Sequence, residues 1–365
     1  MTHVFVAPHP DDVALSCGGL IAGLRELGQN VTILTVFSGT GSAGNGDGDA
    51  LSTYQREALG FGSKTIWPVT EAFNRSHIAA DYPVYGDPDL LPAWAATDDR
   101  LEATQADADA AAKRFWQRSS WYRRASIRSE SLAGQPIMDA LSTQGAVATD
   151  ELVDAAAAGE VMARRRLEDE AFAAFAEASI VFLDLPDAVF RGYASDEELL
   201  NAPRADDATP YEILRREIAR LEPQKLYLPL GIGNHVDHQL CREVGVRLLA
   251  EGRRWVMPGP EYAGIVTFYE DFPYAWWNDF NHLGDLPRTA FTDLPAGIGL
   301  MPEYADIGDQ LERKITGINL YASQMDNLFK GTQEMARQVR AYARRISLLD
   351  GSSGVAERYW STVAS

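Results

Sequence analysis

The chain has 365 residues, which at about 150 residues per domain allows one large domain with an insertion, or two domains. Its formal net charge of −19 argues against binding nucleic acid or anionic lipid through bulk charge, and two cysteines in this length give no disulfide framework. No apolar run reaches the ~18 residues of a membrane span, and the start Met1-Thr2-His3-Val4 lacks the basic region and apolar core of a secretory leader. The expected setting is therefore the cytoplasm.

Residues 3–7 are short and apolar and predict a buried strand, which Pro8 and Pro10 then break. A helix follows from Asp11 or Asp12. Residues 31–37 predict a second buried strand. Residues 38–49 are Gly-rich but lack the lysine and spacing of a phosphate-binding loop. Helical stretches are expected over 98–124 and from 149 to about 170. Within the first, residues 115–124 mix aromatics, Trp116 and Trp121 among them, with arginine; they suit a packing or subunit-contact surface, or a sugar-stacking wall. Further strands are expected at 178–183, at 225–230 and at 264–269, with an amphipathic helix over 211–221. No internal repeat is apparent. Alternating strands and helices imply an α/β fold: a Rossmann-like, mostly parallel sheet with helices on both faces. Residues 38–157 interrupt it as a large, largely helical insertion after the second strand, so the expected domain comprises 1–37 and 158–365.

Two clusters carry the chemistry. His9-Pro10-Asp11-Asp12 closes the first strand and opens its helix; His235-Val236-Asp237-His238 stands between the strand at 225–230 and the next helix. In a parallel sheet the two loops lie side by side at the carboxyl ends of the strands, where open α/β sheets bind ligands. An Asp at a strand-to-helix junction can simply cap the helix, and a His pair alone can be a surface feature. Together the clusters supply imidazoles and a carboxylate for a divalent metal, with a carboxylate and an imidazole left for acid–base work. His3, His77 and His282 show no partner spacing. Cys17 and Cys241 read as small buried residues.

On these motifs the chain resembles the LmbE-like (PIG-L) family of zinc N-deacetylases, with its His-Pro-Asp-Asp-Glu loop and later His-x-Asp-His loop. The resemblance covers residues 1–37 and about 158–330. It implies Zn2+ held by His9, Asp12 and His238, with Asp11 as general base, His235 stabilising the tetrahedral intermediate and Asp237 orienting His235. Arg165, in Arg165-Arg166-Leu167-Glu168-Asp169, matches a substrate-contacting arginine, although a helix salt bridge to Glu168 or Asp169 is the plainer alternative. Asp187 and Arg191 match the following strand and loop. Lys314 and residues 321–324 resemble a helix near the family's C-terminus. Val13 stands where the family has Glu; that Glu is not a ligand, so the metal reading survives.

The implied mechanism is water activation by the ion, proton transfer to Asp11, and stabilisation of the oxyanion by the ion and a protonated His235. Glu270 and Asp271, at the end of a strand, are candidates for substrate contact, and the aromatics of 269–277 for a sugar-facing surface or a buried loop. The expected partner is a small-molecule amino sugar such as N-acetylglucosamine, or its glycoconjugate; homo-oligomerisation is left open. The alternatives are an amidase cutting a larger acyl or thiol conjugate, and a non-catalytic sugar-binding protein that keeps its metal.

Overall fold

In a computed structural model of the chain, the described residues are 1–41, 148–193, 195–205, 207, 210–251, 264–277, 293–329 and 331–364. Most of the expected insertion, with the glycines after 41 and the 115–124 aromatic stretch, lies outside them, as do His77 and His282.

Seven strands form one sheet in the order β3-β2-β1-β4-β5-β7-β6. They are β1 (Thr2–Ala7), β2 (Asn30–Thr35), β3 (Ser179–Phe182), β4 (Lys225–Pro229), β5 (Val266–Tyr269), β6 (Ile298–Asp306) and β7 (Ala356–Ala364). The first five run parallel, and β7 pairs antiparallel with both β5 and β6. The expected mostly parallel α/β sheet is found, with an antiparallel edge that the sequence reading did not anticipate.

The inner strands are apolar because helices cover them. Val4, Phe5 and Val6 of β1 and Ile33 and Leu34 of β2 are fully buried. Helix α1 (Asp12–Glu26) packs on β1 and β2 and buries Val13, Leu15, Cys17 and Ile21. The long α2 (Ala148–Phe175) leads into β3, and α3 (Tyr211–Leu221) into β4. Helix α3 matches its predicted bounds: its apolar Leu214 and Ile218 are inside while its arginines and glutamates face out. Helix α4 (Val236–Glu251) follows β4. The chain ends with α5 (Leu311–Ile318), α6 (Ala322–Leu328), α7 (Thr332–Leu349) and β7.

This topology places the chemistry. The chain goes from β1 to β2 on one side, then returns through β4 on the other, so β1 and β4 flank the point where strand order reverses. His3 pairs with Lys225 and Phe5 with Tyr227, which brings both motif loops off neighbouring strand ends. Past β2, Gly39 bridges to Pro186 after β3. A Cβ at Gly39 would sit 2.5 Å from the Asp184 carbonyl oxygen, so only glycine allows these two loops to meet.

Helix α2 is locked to the same end. Asp169 accepts from Thr35 Oγ1 (2.7 Å) and from Tyr321 Oη (2.6 Å), and Glu168 accepts from Ser323 N (2.9 Å). Arg165, Glu168 and Asp169 therefore face inward, while Leu167 between them is exposed.

Candidate active site

The first loop folds on itself. The Asp12 carboxylate accepts from the backbone N–H of His9 at 2.8 Å, closing the turn between strand and helix. Asp11 occupies the N-cap position but makes no side-chain capping bond, and its φ of 111° is one that non-glycine residues rarely adopt. The local structure thus holds Asp11 in a strained conformation without using it as a cap, which is a mark of functional sites.

The two motif loops meet as the topology requires. Asp12 Oδ2 lies 3.2 Å from His9 Nδ1 and 3.3 Å from His238 Nε2. An ion holding donors tetrahedrally at ~2.0–2.1 Å separates neighbouring donors by roughly 3.3 Å, so this spacing fits a zinc-like centre. His238 Nε2 is buried and faces Asp12, the side from which an ion between them would be held. Donor atoms of His9, His235 and His238 also lie within 4.8 Å of one another, which puts His235 at the same centre. A second set, His9, Asp187 and Asp237, has donors equally close, so the described residues offer more than one grouping that could hold an ion.

The charge balance points the same way. Asp11, Asp12, Asp187, Asp237 and Asp271 are all at most 5% exposed, and among the described residues the arginines that meet them are Arg165 and Arg191. Without an ion, protons make up the deficit. Burial opposes charge on His9, but Asp187, Asp12 and Asp237 push its pKa up to about 9. Burial likewise opposes charge on His238, but Asp12 and Asp271 raise it to about 10. A metal would take the place of those protons.

The two adjacent carboxylates are pushed apart. Burial drives Asp11 up to about 8, with Arg165 working against the rise and Asp12 adding to it. Asp12 resists its burial because His238 and His9 hold it well below the usual carboxylate range. In the metal-free chain Asp12 is thus held as the anion and Asp11 is the carboxyl that keeps its proton more readily.

His235 differs from the other two imidazoles. Burial and the neighbouring His9 and His238 hold its pKa well below the ordinary value, against the pull of Asp237. Its Nδ1 accepts from the Asp237 N–H at 3.2 Å, so its ring proton belongs on Nε2. In the metal-free chain these neighbours favour the neutral imidazole, whereas the resemblance implies a protonated His235 as the oxyanion forms. The carboxylate of Asp237 is engaged elsewhere: it accepts from His9 Nε2 (2.9 Å), from Ala188 N (3.1 Å) and from Arg191.

The remaining candidates divide. Arg165 is buried, with Nη2 3.2 Å from the Pro10 carbonyl and 3.5 Å from Asp11 Oδ2, and Nη1 3.9 Å from Asp187 Oδ2. It stands beside Asp11, and the helix salt bridge on this segment is made by Arg164 to Glu168. Asp187 is fully buried and accepts from Val189 N at 3.3 Å while facing His9 Nε2 at 3.8 Å. Arg191 grips Asp207 with Nε (2.9 Å) and Nη2 (3.0 Å), gives Nη1 to Pro186 O (2.7 Å), and reaches Asp237. That pattern makes it a support for Asp237. Asp271 accepts from His238 Nδ1 at 2.6 Å. Glu270 turns to Arg358 Nε (2.6 Å), Trp360 Nε1 (3.0 Å) and Tyr342, away from the cluster.

The aromatic stretch after β5 is a buried loop: Tyr269, Phe272 and Tyr274 are all inside. Sequence reasoning did not single out Tyr274, whose ring meets that of His238 edge-on at 5.6 Å. Its signal lies in Gly233, at φ +90°, where a Cβ would stand 2.4 Å from the Tyr274 ring. Cys17 and Cys241 are buried, as expected, and their thiols are pushed well up by burial.

Comparison with known proteins agrees with the motifs. The chain carries a PIG-L (LmbE-like) match, described as GlcNAc-PI de-N-acetylase, over residues 4–65. It is 32% identical over 168 residues to 2'-N-acetylparomamine deacetylase of Streptomyces fradiae, covering 45% of this chain and 51% of that protein. It therefore matches about half the length of that relative. Among solved structures it resembles a deacetylase triple mutant of the teicoplanin biosynthetic pathway (17% identity, TM-score 0.53, 100% of this chain and 99% of that one). It also resembles the pseudoaglycone deacetylase of an antimicrobial reagent (20%, 0.51, 99% and 97%) and the zinc-inhibited form of a teicoplanin deacetylase (18%, 0.53, 100% and 99%). At these identities the likenesses establish the shared fold. Among the described residues, no helix is long and apolar enough to cross a membrane.

Proposed function

We propose that this chain, with its PIG-L match and deacetylase relatives, is a zinc-dependent hydrolase that removes the N-acetyl group from an N-acetylated amino sugar or glycoconjugate. The observation that carries the reading is the pair Asp11 and Asp12, adjacent in sequence and driven to opposite protonation behaviour beside three converging imidazoles. The substrate class follows the relatives, one described as a 2'-N-acetylparomamine deacetylase and another as a deacetylase of the teicoplanin biosynthetic pathway.

His9, Asp12 and His238 would hold the ion, which when bound supplies Lewis acidity and lowers the pKa of water from ~15.7 towards ~7. Asp11 takes the proton of the attacking water, since its raised pKa suits exchange near neutral pH. Arg165, 3.5 Å from Asp11 Oδ2, holds that carboxylate in place and limits its rise. As the amide carbon becomes tetrahedral, charge develops on its oxygen. A neutral His235 with its proton on Nε2 can donate to that oxygen without the cost of a buried imidazolium. Asp11 then returns its proton to the nitrogen of the leaving amine.

The test is acetate release from N-acetylated amino sugars by the full chain, before and after chelation and with zinc restored. Turnover of the larger acyl conjugates in preference to acetyl would replace deacetylation by a broader amidase activity. Absence of metal-dependent turnover on either set would leave a binding protein.

A further inference from the structure

The sheet contributes a third strand end to the cluster. Strand β5 stops at Tyr269, and Glu270 and Asp271 then point to different neighbourhoods, as side chains successive along extended backbone do. Glu270 is fixed from the side of β7 by Arg358, Trp360 and Tyr342. Asp271 is 1% exposed and spans two parts of the second motif loop. Its Oδ2 accepts from the backbone N–H of Ile232 at 2.9 Å, and its Oδ1 accepts from His238 Nδ1 at 2.6 Å. The Phe272 amide, next in line, is held by Ser16 Oγ of α1 at 3.1 Å.

We infer that Asp271 is a positioning residue for the metal centre: it holds His238 by Nδ1 so that Nε2 faces Asp12. The reason is geometric. An imidazole that donates from one nitrogen has its lone pair on the other, and the ring plane is then set by the acceptor. The acceptor here is itself immobile, tied to Ile232 and set on a strand whose next side chain is clamped. His238 Nε2 thus reaches 3.3 Å from Asp12 Oδ2 with little freedom to turn. The same device recurs at His9, whose Nε2 meets Asp237 at 2.9 Å while its Nδ1 faces Asp12 at 3.2 Å. Each imidazole beside Asp12 therefore has a buried carboxylate behind it, and the two carboxylates come from different strand ends.

The inference rests on His238 being a ligand, and the experiment separates the two claims. Metal-free full chain is titrated with Co2+, read by its visible absorption, and with Zn2+ by competition. The set is wild type, His238→Ala, Asp271→Ala and Asp271→Asn, with thermal melts to confirm folding. Asp271→Ala should weaken metal binding ~10–100-fold, the usual loss when such a partner is removed. Asp271→Asn should weaken it less, because the amide oxygen still accepts from Nδ1–H. A substrate-contact role predicts a raised KM with unchanged metal affinity in both variants, and that result would overturn the proposal. If Asp271→Ala does not fold, Asp271→Val, which also lacks an acceptor for Nδ1–H, takes its place, and unchanged affinity there overturns it. Wild-type affinity in His238→Ala would sink the ligand reading itself, and this inference with it.

Discussion

Strand β7 and the strand ends around His9 both bury charge, and they balance it in opposite ways. At β7, Glu357 accepts from Lys314 Nζ (2.7 Å), Gly19 N (2.9 Å), Leu20 N (2.8 Å) and Tyr359 Oη (2.7 Å). Next to it, Arg358 meets Glu270. Each anion has its cation and its lone pairs are filled, which is what makes burial of a charge tolerable. Around His9 the described carboxylates exceed the arginines; they raise His9 and His238 against their burial, while burial itself raises Asp11. The difference separates scaffold from site: balanced charge fixes the fold, and unbalanced charge asks for an ion and for protons that can move.

The sharpest way to break this comparison is to remove a ligand from the unbalanced side. His9→Ala, Asp12→Ala and His238→Ala should each lose most of the bound metal and with it hydrolysis, leaving two of the three proposed protein ligands. Elemental analysis of purified variants checks it; full occupancy in all three would show that other residues hold the ion.

Next comes the proton carrier. Asp11→Asn should keep the metal and lose ~10²–10⁴-fold in kcat, since an amide cannot accept the water's proton. Metal content and steady-state rates on one preparation decide it. Near wild-type turnover would move the base elsewhere in the cluster.

How much of this was legible in the sequence follows from the same contrast. The two motif loops were readable because each sits between an apolar strand and a helix, and their side-by-side placement follows from parallel β1 and β4. Helix α3 was readable to its ends because one face is apolar and the other charged. Strands β6 and β7 were not read: Ile298–Asp306 contains Gly299 and Pro302, and β7 hides Glu357 and Arg358, polar residues whose burial depends on partners far along the chain. Within the site, the residue types were legible and the pairings were not. Asp237 sits beside His235 in sequence, yet its carboxylate serves His9, a residue on another strand end. Asp271 is a substrate-contact candidate from its place after β5, and its contact with His238 becomes visible only in the fold. Local sequence carries no record of such long-range contacts.

A substitution on the balanced side should have a different signature. Lys314→Met keeps the side-chain volume but leaves Glu357 buried without its cation. Breaking one partner of such a pair costs about 3–5 kcal/mol. Denaturant melts should show that loss, while metal affinity and kcat per folded molecule stay within about twofold. A large fall in metal affinity would mean that the two regions are coupled through α1, where Gly19 and Leu20 bind Glu357.

The smallest predicted effect is a pH slope. His9 and His238 bind protons more tightly in the folded metal-free chain than the ordinary histidine value of 6.5, near 9 and 10. Groups with raised folded pKa contribute stability that is complete below the unfolded value and is lost as pH rises through the folded one. Asp11, raised to about 8, adds to the same trend, because its buried ionisation is resisted until about that pH. The metal-free protein should therefore melt progressively lower between pH 6.5 and 10. A bound ion replaces the imidazole protons, so the zinc-loaded protein should give a flatter curve over that range, the two diverging by on the order of a few degrees per kcal/mol of difference. Lys314→Met should lower both curves by a similar amount without changing this divergence. Parallel curves in metal-free and zinc-loaded wild type would mean that the carboxylates around His9 do not hold those protons, and the distinction between a balanced scaffold and an unbalanced site would lose its electrostatic basis.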